Sequence, residues 1–318
     1  MTSLCTPSAA SPRSRARAAL SFLLLAVVAV AQETRVGVGT WNLEFLGAAP
    51  HLRRDAPPRT ADDVRAIGAK VRELGIAALA VQEICGEAPL GEVAAAAGPT
   101  WRALLGTTGS WDDGKTQQGV GFLWDDAVLE LLHAEELLDL PSTLEGVPVF
   151  HRKPVTACFR HRATGADFRL VTVHFKAGQG PRNEQKRRLE AATLREWIDG
   201  LLRRPGEDPD VAVLGDFNAT YGAEPEALFE AGGAMLCLDQ TEPWPTIVWF
   251  DEPIDHIVIA DAFAELQRGS RTVHGVRDAA ARTSWRNTYS DHFPVTATLV
   301  VRGDDDPDAT FARGPRGQ

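Results

Sequence analysis

Acids, amides and imidazoles interrupt the apolar runs of this sequence at recurrent places. Val36-Gly37-Val38-Gly39-Thr40-Trp41 leads into Asn42 and Glu44, and Ala78-Leu79-Ala80-Val81 leads into Gln82 and Glu83. Leu170-Val171-Thr172-Val173 ends in His174, and Val211-Ala212-Val213-Leu214-Gly215 ends in Asp216-Phe217-Asn218. Two further groups stand just ahead of apolar runs, Ile254-Asp255-His256 and Ser290-Asp291-His292. Gathered in one cleft, such groups can hydrolyse a phosphoric ester. That reaction needs charge neutralised on the non-bridging oxygens, an activated water in line and a proton for the leaving oxygen. Glu83 and Asp291 offer hard oxygen ligands, which select Mg²⁺, with Mn²⁺ as the other ion of that class. Asp216 can accept a proton from water, Asn218 can hold that water or a phosphate oxygen, and His174 and His292 can move protons near neutral pH. Side chains alternate along a strand, so Asp216 and Asn218 should point one way and Asp255 and His256 opposite ways. A carboxylate beside an imidazole orients it and raises its pKa, which makes Asp255 the expected partner of His292. Zinc is disfavoured, because no two histidines stand at a ligand-forming helical spacing, and no Gly-x-Ser-x-Gly elbow supports a serine hydrolase.

Strand ends and strand starts share an edge only if the two sets belong to antiparallel neighbours. The β-branched runs predict strands at Val36–Trp41, Ala77–Gln82, Val120–Trp124, Val155–His161, Phe168–His174, Val211–Gly215, His256–Ala260 and Val295–Val301. The turn Ala163-Thr164-Gly165-Ala166 predicts a hairpin between two of them. Thr60 should cap a helix with Asp62 and Asp63 in its first turn, Val64, Ile67, Val71 and Leu74 on its apolar stripe, and Gly75 at its end. A second helix is expected over 183–202, with Leu194, Trp197, Ile198 and Leu201 on one face. Hairpins mixed with strand-helix-strand units predict a layered α/β fold with mixed sheets. Trp41 and Phe217 are expected in the core.

No Ser/Gly/Pro linker divides the chain, which places one domain over 32–301. The segment 302–318, with Asp304, Asp305 and Asp306, is expected to be a disordered tail. At the other end, Arg13, Arg15 and Arg17 precede an apolar run from Ala18 to Val30, and Ala29-Val30-Ala31 supplies small residues for cleavage. This pattern predicts a signal peptide over 1–31 and a secreted or periplasmic protein. The 318 residues carry 33 Lys plus Arg against 43 Asp plus Glu, a formal charge of −10. That balance excludes a globally basic nucleic-acid binder and leaves room only for a local cationic surface. Beyond the leader stand Cys85, Cys158 and Cys237, of which two could pair after export and one would remain.

The succession Trp41-Asn42, Gln82-Glu83, His174, Gly215-Asp216-Phe217-Asn218, Ile254-Asp255-His256-Ile257 and Ser290-Asp291-His292-Phe293-Pro294-Val295 resembles the endonuclease/exonuclease/phosphatase superfamily, the deoxyribonuclease I-like group. The resemblance implies a four-layer α/β sandwich, two packed mixed sheets with helices outside. It further implies that Asn42 contacts phosphate or the water shell of the metal, and that Glu83 is the main metal ligand with Asp291 assisting. Asp216 and Asn218 would flank the attacking water, and His292, held by Asp255, would contact the scissile phosphate. His174 would stand on the leaving-group side. Here the chain departs from the pattern, since the family pairs that histidine with a Glu where this sequence offers Gln117 and Gln118. An amide can orient an imidazole but cannot raise its pKa as a carboxylate does.

The shared centre does not choose among phosphoesters. Lys176, Arg182, Lys186, Arg187 and Arg188 form a cationic segment beside His174 and are the expected contacts for a polyanionic backbone. A nuclease acting on DNA or RNA is therefore the leading reading, with no obligate protein partner inferred. A phospholipid or small phosphoester is the alternative substrate, and the Trp244-Pro245 and Trp249-Phe250 region could then supply an apolar rim. A non-catalytic phosphate-binding module is the remaining class.

Overall fold

Both faces of the central strands are covered, which is why Ala77–Val81 and Val211–Leu214 read as unbroken apolar runs and not as alternations. A computed structural model describes residues 34–48, 56–109, 118–220, 222–224, 226–238, 244–306 and 309–311. The expected leader and Gln117 lie outside the described residues. Along the chain the first elements are β1 (Thr34–Leu46), α1 (Ala61–Glu73), β2 (Ile76–Ile84), α2 (Glu87–Ala97), β3 (Trp101–Leu105) and β4 (Gly119–Asp125). There follow β5 (Leu129–Glu136), the short pair β6 (Thr143–Leu144) and β7 (Val147–Pro148), β8 (Val155–His161), β9 (Asp167–His174) and α3 (Pro181–Leu202). The last are β10 (Val211–Asp216), α4 (Glu226–Glu230), β11 (Met235–Cys237), β12 (Asp255–Ala260), β13 (Thr272–Val273), α5 (Ala279–Thr288) and β14 (Val295–Val301).

Two six-stranded sheets result, in the orders β13-β14-β1-β2-β4-β3 and β11-β12-β10-β9-β8-β5. Their inner faces meet in a core that includes Val38, Ala80, Phe122, Phe159, Leu170, Leu214, Ile257 and Ala297. On one outer face Ile67 and Val71 of α1 and Val93 of α2 join a second cluster with Leu79 and Val81. On the other, Leu194 and Ile198 of α3 pack with Val171, Val173 and Val213. The arrangement is the expected four-layer sandwich. Thr60 caps α1 as expected, in a reciprocal box with Asp63, and Gly75 follows at a φ of 65°. Elements without a strong apolar signature were not expected: α2 is mostly alanine, α5 buries only Trp285, and β5 is a half-exposed edge strand.

Part of the segment expected to be a disordered tail is seated on the fold. Thr310 pairs in parallel with Glu207, and the Phe311 ring lies 5.4 Å from the Arg169 guanidinium. Backbone hydrogen bonds and this cation–π contact offset the ordering that composition alone would disfavour. Cys85, Cys158 and Cys237 are all free thiols.

Register sets the chemistry. β9 and β10 run parallel with His174 opposite Asp216, and β10 and β12 run antiparallel with Asp216 opposite Asp255. In the other sheet β1 pairs in parallel with β2, Asn42 opposite Gln82, and antiparallel with β14, Thr40 opposite Val295. The ends of β1, β2, β9 and β10 thus lie on the edge where β12 and β14 begin. Gly215 is required at this junction, because a Cβ there would lie 2.0 Å from the carbonyl oxygen of Val173. Both atoms belong to backbone held in neighbouring strands, so neither can give way. Gly215→Ala should cost about 1–3 kcal/mol, the usual penalty of overpacking, and lower Tm by several degrees in a thermal melt. An unchanged Tm would show that the two strands are free to part.

Candidate active site

Asp216 is 2% exposed and lies among groups contributed by both sheets. Its Oδ2 accepts a hydrogen bond from Asn42 Nδ2 at 3.1 Å and lies 3.4 Å from His174 Nε2 and 3.8 Å from His292 Nε2. Its Oδ1 accepts from the backbone N–H of Asn218 at 2.8 Å. Asn218 itself lies past the end of the strand, at a φ of 51°, and donates its side-chain amide to the Phe175 carbonyl at 3.1 Å. The strict alternation expected for Asp216 and Asn218 therefore stops with β10, and the Asn218 backbone, more than its amide, holds Asp216.

Asp255 and His256 point to opposite faces as expected. Asp255 Oδ2 lies 2.8 Å from His292 Nδ1, whereas His256 Nε2 contacts the Ala219 carbonyl and its ring meets Phe217 edge-on. The Thr246 hydroxyl accepts from the backbone N–H groups of Ile254 and Asp255, which holds that carboxylate in place. His292 is fixed from behind as well. Trp41 Nε1 and Trp285 Nε1 both donate to its carbonyl at 3.0 Å, and its N–H donates to Ser290 Oγ, which in turn donates to the Asn42 carbonyl. Trp41 is thus a core residue, as expected, whose indole N–H also braces the site.

Glu83 sits at a φ of 60° at the end of β2, 3.8 Å from His174 Nε2, and accepts from the Phe45 N–H at 3.2 Å. Asp291 Oδ2 accepts from Trp249 Nε1 at 3.2 Å, and Asp291 Oδ1 lies 3.9 Å from His292 Nε2. Glu83 and Asp291 are close enough that Asp291, after burial, is the largest influence raising the Glu83 pKa. Two carboxylates that repel in a buried site suit a hard divalent cation, so the donor set fits Mg²⁺ or Mn²⁺. Asp216, Asp255 and His292 also bring ligand atoms within 4.8 Å of one another, but His292 Nδ1 is already committed to Asp255.

Protonation differs sharply between the two imidazoles. Burial alone would neutralise His292, but Asp255, Asp291 and Asp216 outweigh it and hold the pKa well above the ordinary histidine value. His174 is pushed well below that value by burial and by the charges of Arg152 and His292. Burial, with Asp255 adding to it, raises Asp216 to about 7, against the opposing pull of His292, the Asn218 N–H and Asn42. A buried carboxylate poised near neutrality is suited to accept a proton.

Three features were not legible in the sequence. Arg152, in the loop before β8, donates its Nε to the His174 carbonyl at 3.2 Å and its charge acts on both Glu83 and Asp216. Its Nη1 also donates to Gln118 Oε1 at 2.5 Å, so the amide expected beside His174 is engaged by a cation instead. Among the described residues, neither ring nitrogen of His174 has a hydrogen-bond partner. Finally, Glu44 is 3% exposed and binds Arg59 at 2.6 Å, Arg286 at 2.7 Å and the Asp291 N–H at 3.1 Å, a brace for the loop that carries Asp291.

The cationic segment separates into different roles. Arg187 is buried and donates to the Lys176 and Gly178 carbonyls at 2.8 and 2.7 Å, so it clamps the loop after His174 and is not a free phosphate contact. Lys176 donates to the Ala177 carbonyl, and Arg188 approaches Glu224 at 4.0 Å. Arg182 is exposed and Lys186 half-buried. An open cavity of about 740 Å³ runs beside them, lined by Gly178, Arg187, Asn218, Thr220, Phe250 and Ile254.

A family model described as "Endonuclease/Exonuclease/phosphatase family" matches residues 39–292. No curated protein sequence matches significantly. Among solved structures, an endonuclease/exonuclease/phosphatase from Bacteroides vulgatus is similar at a TM-score of 0.63 and 20% identity, over 84% of this chain and 98% of that one. The mannosyl-6-phosphatase Bt3783 of Bacteroides thetaiotaomicron VPI-5482 is similar at 0.59 and 18%, over 84% and 99%. D. rerio TDP2 complexed with single strand DNA product is similar at 0.58 and 16%, over 83% and 98%.

The Asp255–His292 pair yields a pH prediction. A neighbouring anion favours the imidazolium, so its removal leaves burial to favour the neutral ring, and the proton should leave at lower pH. In metal-free Asp255→Asn the NMR titration of His292 should shift to lower pH than in the wild type. An unmoved midpoint would show that Asp255 does not set the charge of His292.

Proposed function

Because the chain belongs to the endonuclease/exonuclease/phosphatase family, whose members hydrolyse phosphoric esters with a divalent metal, we propose that it is a phosphodiesterase acting on DNA or RNA. The observation that carries this reading is the convergence of Glu83, Asp291, Asp216 and the Asp255–His292 pair on one sheet edge, with Arg152 beside them. Glu83 and Asp291 would hold the cation, which when bound neutralises charge on a non-bridging phosphate oxygen. Asp216 accepts the proton of the attacking water, its carboxylate kept in position by Asn42 and the Asn218 N–H. His292 carries the positive charge that Asp255 stabilises and presents Nε2 toward a second non-bridging oxygen. Arg152 adds a fixed cation, preorganised by the His174 carbonyl and Gln118. His174 is neutral and can orient a group on the leaving side, but it has no proton to deliver as an imidazolium. Binding of a long chain would draw on Lys176, Arg182 and Lys186 as a local cationic track, while Arg187 and Arg188 support the segment.

A phospholipid is the second reading, and one observation favours it. Trp249 and Phe250, 56% and 44% exposed, stand at the rim beside Asp291, and Arg286 lies 4.4 Å from the Trp249 ring. A small phosphoester fits the same centre.

One comparison separates these substrates. With Mg²⁺ the wild type should cleave long DNA or RNA, with a KM that rises steeply with salt as counterions are released. Arg182→Gln/Lys186→Gln should flatten that dependence while leaving turnover of a small phosphodiester nearly unchanged. Glu83→Gln should remove roughly 10²-fold or more of the Mg²⁺-dependent rate on every substrate. Cleavage of phospholipid vesicles in preference to nucleic acid would overturn the nuclease reading, and full activity of Glu83→Gln would overturn the metal assignment.

We also propose that the enzyme acts after export, on the strength of the arginine-flanked apolar run ahead of Ala31. N-terminal sequencing of exported protein should begin at Gln32, and retention of Ala18–Val30 would refute cleavage.

A further inference from the structure

The inward face of α3 carries Arg187, Ala191, Leu194 and Ile198, and among them stands Glu190, 5% exposed. A carboxylate in such a place is costly unless its oxygens find donors. Both do. Oε1 accepts from the backbone N–H of Phe150 at 2.9 Å, and Oε2 accepts from that of Lys176 at 2.9 Å. Neither donor lies in a sheet ladder, because β9 ends at His174 and β8 begins at Val155. A single helical side chain therefore ties the loop before β8 to the segment that follows β9.

The two donors flank the same guanidinium. Phe150 stands just ahead of Arg152 in its loop, and Lys176 follows His174, whose carbonyl accepts the Arg152 Nε–H at 3.2 Å. One bond of Glu190 thus fixes the loop that carries Arg152, and the other fixes the strand end that receives it. Phe150 adopts a left-handed φ of 49°, a conformation that a residue with a Cβ keeps only under constraint. Its N–H bond to Glu190 and the burial of its ring supply that constraint. On the far side of Arg152 the Lys153 N–H donates to Thr108 Oγ1 at 2.7 Å. Arg187 completes the clamp: it holds the Lys176 carbonyl while Glu190 holds the Lys176 N–H. Charge acts in the same sense, since Glu190 stands with Glu83 and Asp216 among the carboxylates that favour the charged form of Arg152.

We propose that Glu190 is the positioning residue for Arg152, holding both segments that aim its guanidinium at the phosphate. The inference rests on the reading of the site as a phosphodiesterase, though not on which phosphodiester is cleaved. Glu190 touches no reacting atom and acts only through Arg152. The competing role is packing alone, in which its loss would lower stability and leave Arg152 where it is. Glutamine separates the two. It has the shape of glutamate, but its amide nitrogen would face one of the two N–H donors, so one of the two segments must be released.

With Mg²⁺ and bis(p-nitrophenyl) phosphate, a small phosphodiester, Glu190→Gln should lower kcat/KM roughly 10- to 100-fold. Arg152→Ala should lower it at least as far. The double variant should be little worse than Arg152→Ala alone, because a residue that acts only through another adds nothing once that one is gone. Losses that multiply would overturn the proposal. A second readout needs no turnover. In ¹H–¹⁵N spectra of Glu190→Gln the Arg152 Nε–H should shift and lose protection from solvent exchange, while the resonances of β1 and β2 stay in place. An unmoved Arg152 signal in the folded variant would equally overturn the proposal. Should Glu190→Gln fail to fold, Glu190→Asp keeps the charge, is one methylene short of spanning both N–H groups, and should give the same outcomes in both measurements. If the wild type cleaves no phosphodiester, the proposed function fails, and the Arg152 signal alone decides whether Glu190 holds that side chain.

Discussion

Burial of negative charge is the condition on which the rest of the molecule rests. Asp216, Asp255 and Glu83 come together where water is largely excluded; burial raises the cost of ionising Asp216 and Glu83, and Asp255 adds to it at Asp216 as Asp291 does at Glu83. Left alone, such a set would take up protons and lose its chemistry. Two cations prevent this. His292 is charged because Asp255 touches one ring nitrogen while Asp216 and Asp291 lie near the other, and Arg152 is brought in by a loop and held to backbone. Burial, reinforced by the same cations, keeps His174 neutral. One electrostatic balance therefore assigns different protonation states to two histidines in the same cleft.

The balance is only as good as the backbone that presents it. Asp216 has His174 on one neighbouring strand and Asp255 on the other, directly opposite in register. A slip by one residue would turn every one of these side chains to the other face. The braces are correspondingly numerous. Two indoles and a serine hold His292, a threonine holds Asp255, and Glu44 joins Arg59 and Arg286 behind Asp291.

Much of this was visible in the residue order. Apolar runs that stop at Glu83, His174 and Asp216 marked strand ends, whereas β1 runs on past Asn42 to Leu46, and alternation alone separated Asp255 from His256. What escaped had no period to reveal it. Arg152 lies in a loop, and its partners Glu83, Gln118 and His174 belong to other elements. Glu44 is braced across 15 and 242 residues by Arg59 and Arg286, a separation that only the folded chain closes. Arg187 failed for another reason: charge composition marks a cation as solvated, yet its buried guanidinium binds two carbonyls of the turn after His174.

Glu44, Phe45 and Glu83 share a left-handed backbone, with φ values of 42°, 52° and 60°. For residues with a Cβ each such position stores roughly 1–3 kcal/mol, held in place by the packing around it. Relief of that strain by glycine has a different meaning at each position. At Glu44 and Glu83 it would delete a carboxylate the site depends on, while at Phe45 the N–H that binds Glu83 would survive. The protein's reserve of stability and its catalytic edge thus draw on the same few torsions, and evolution toward a sturdier chain is open at one of the three and closed at the other two.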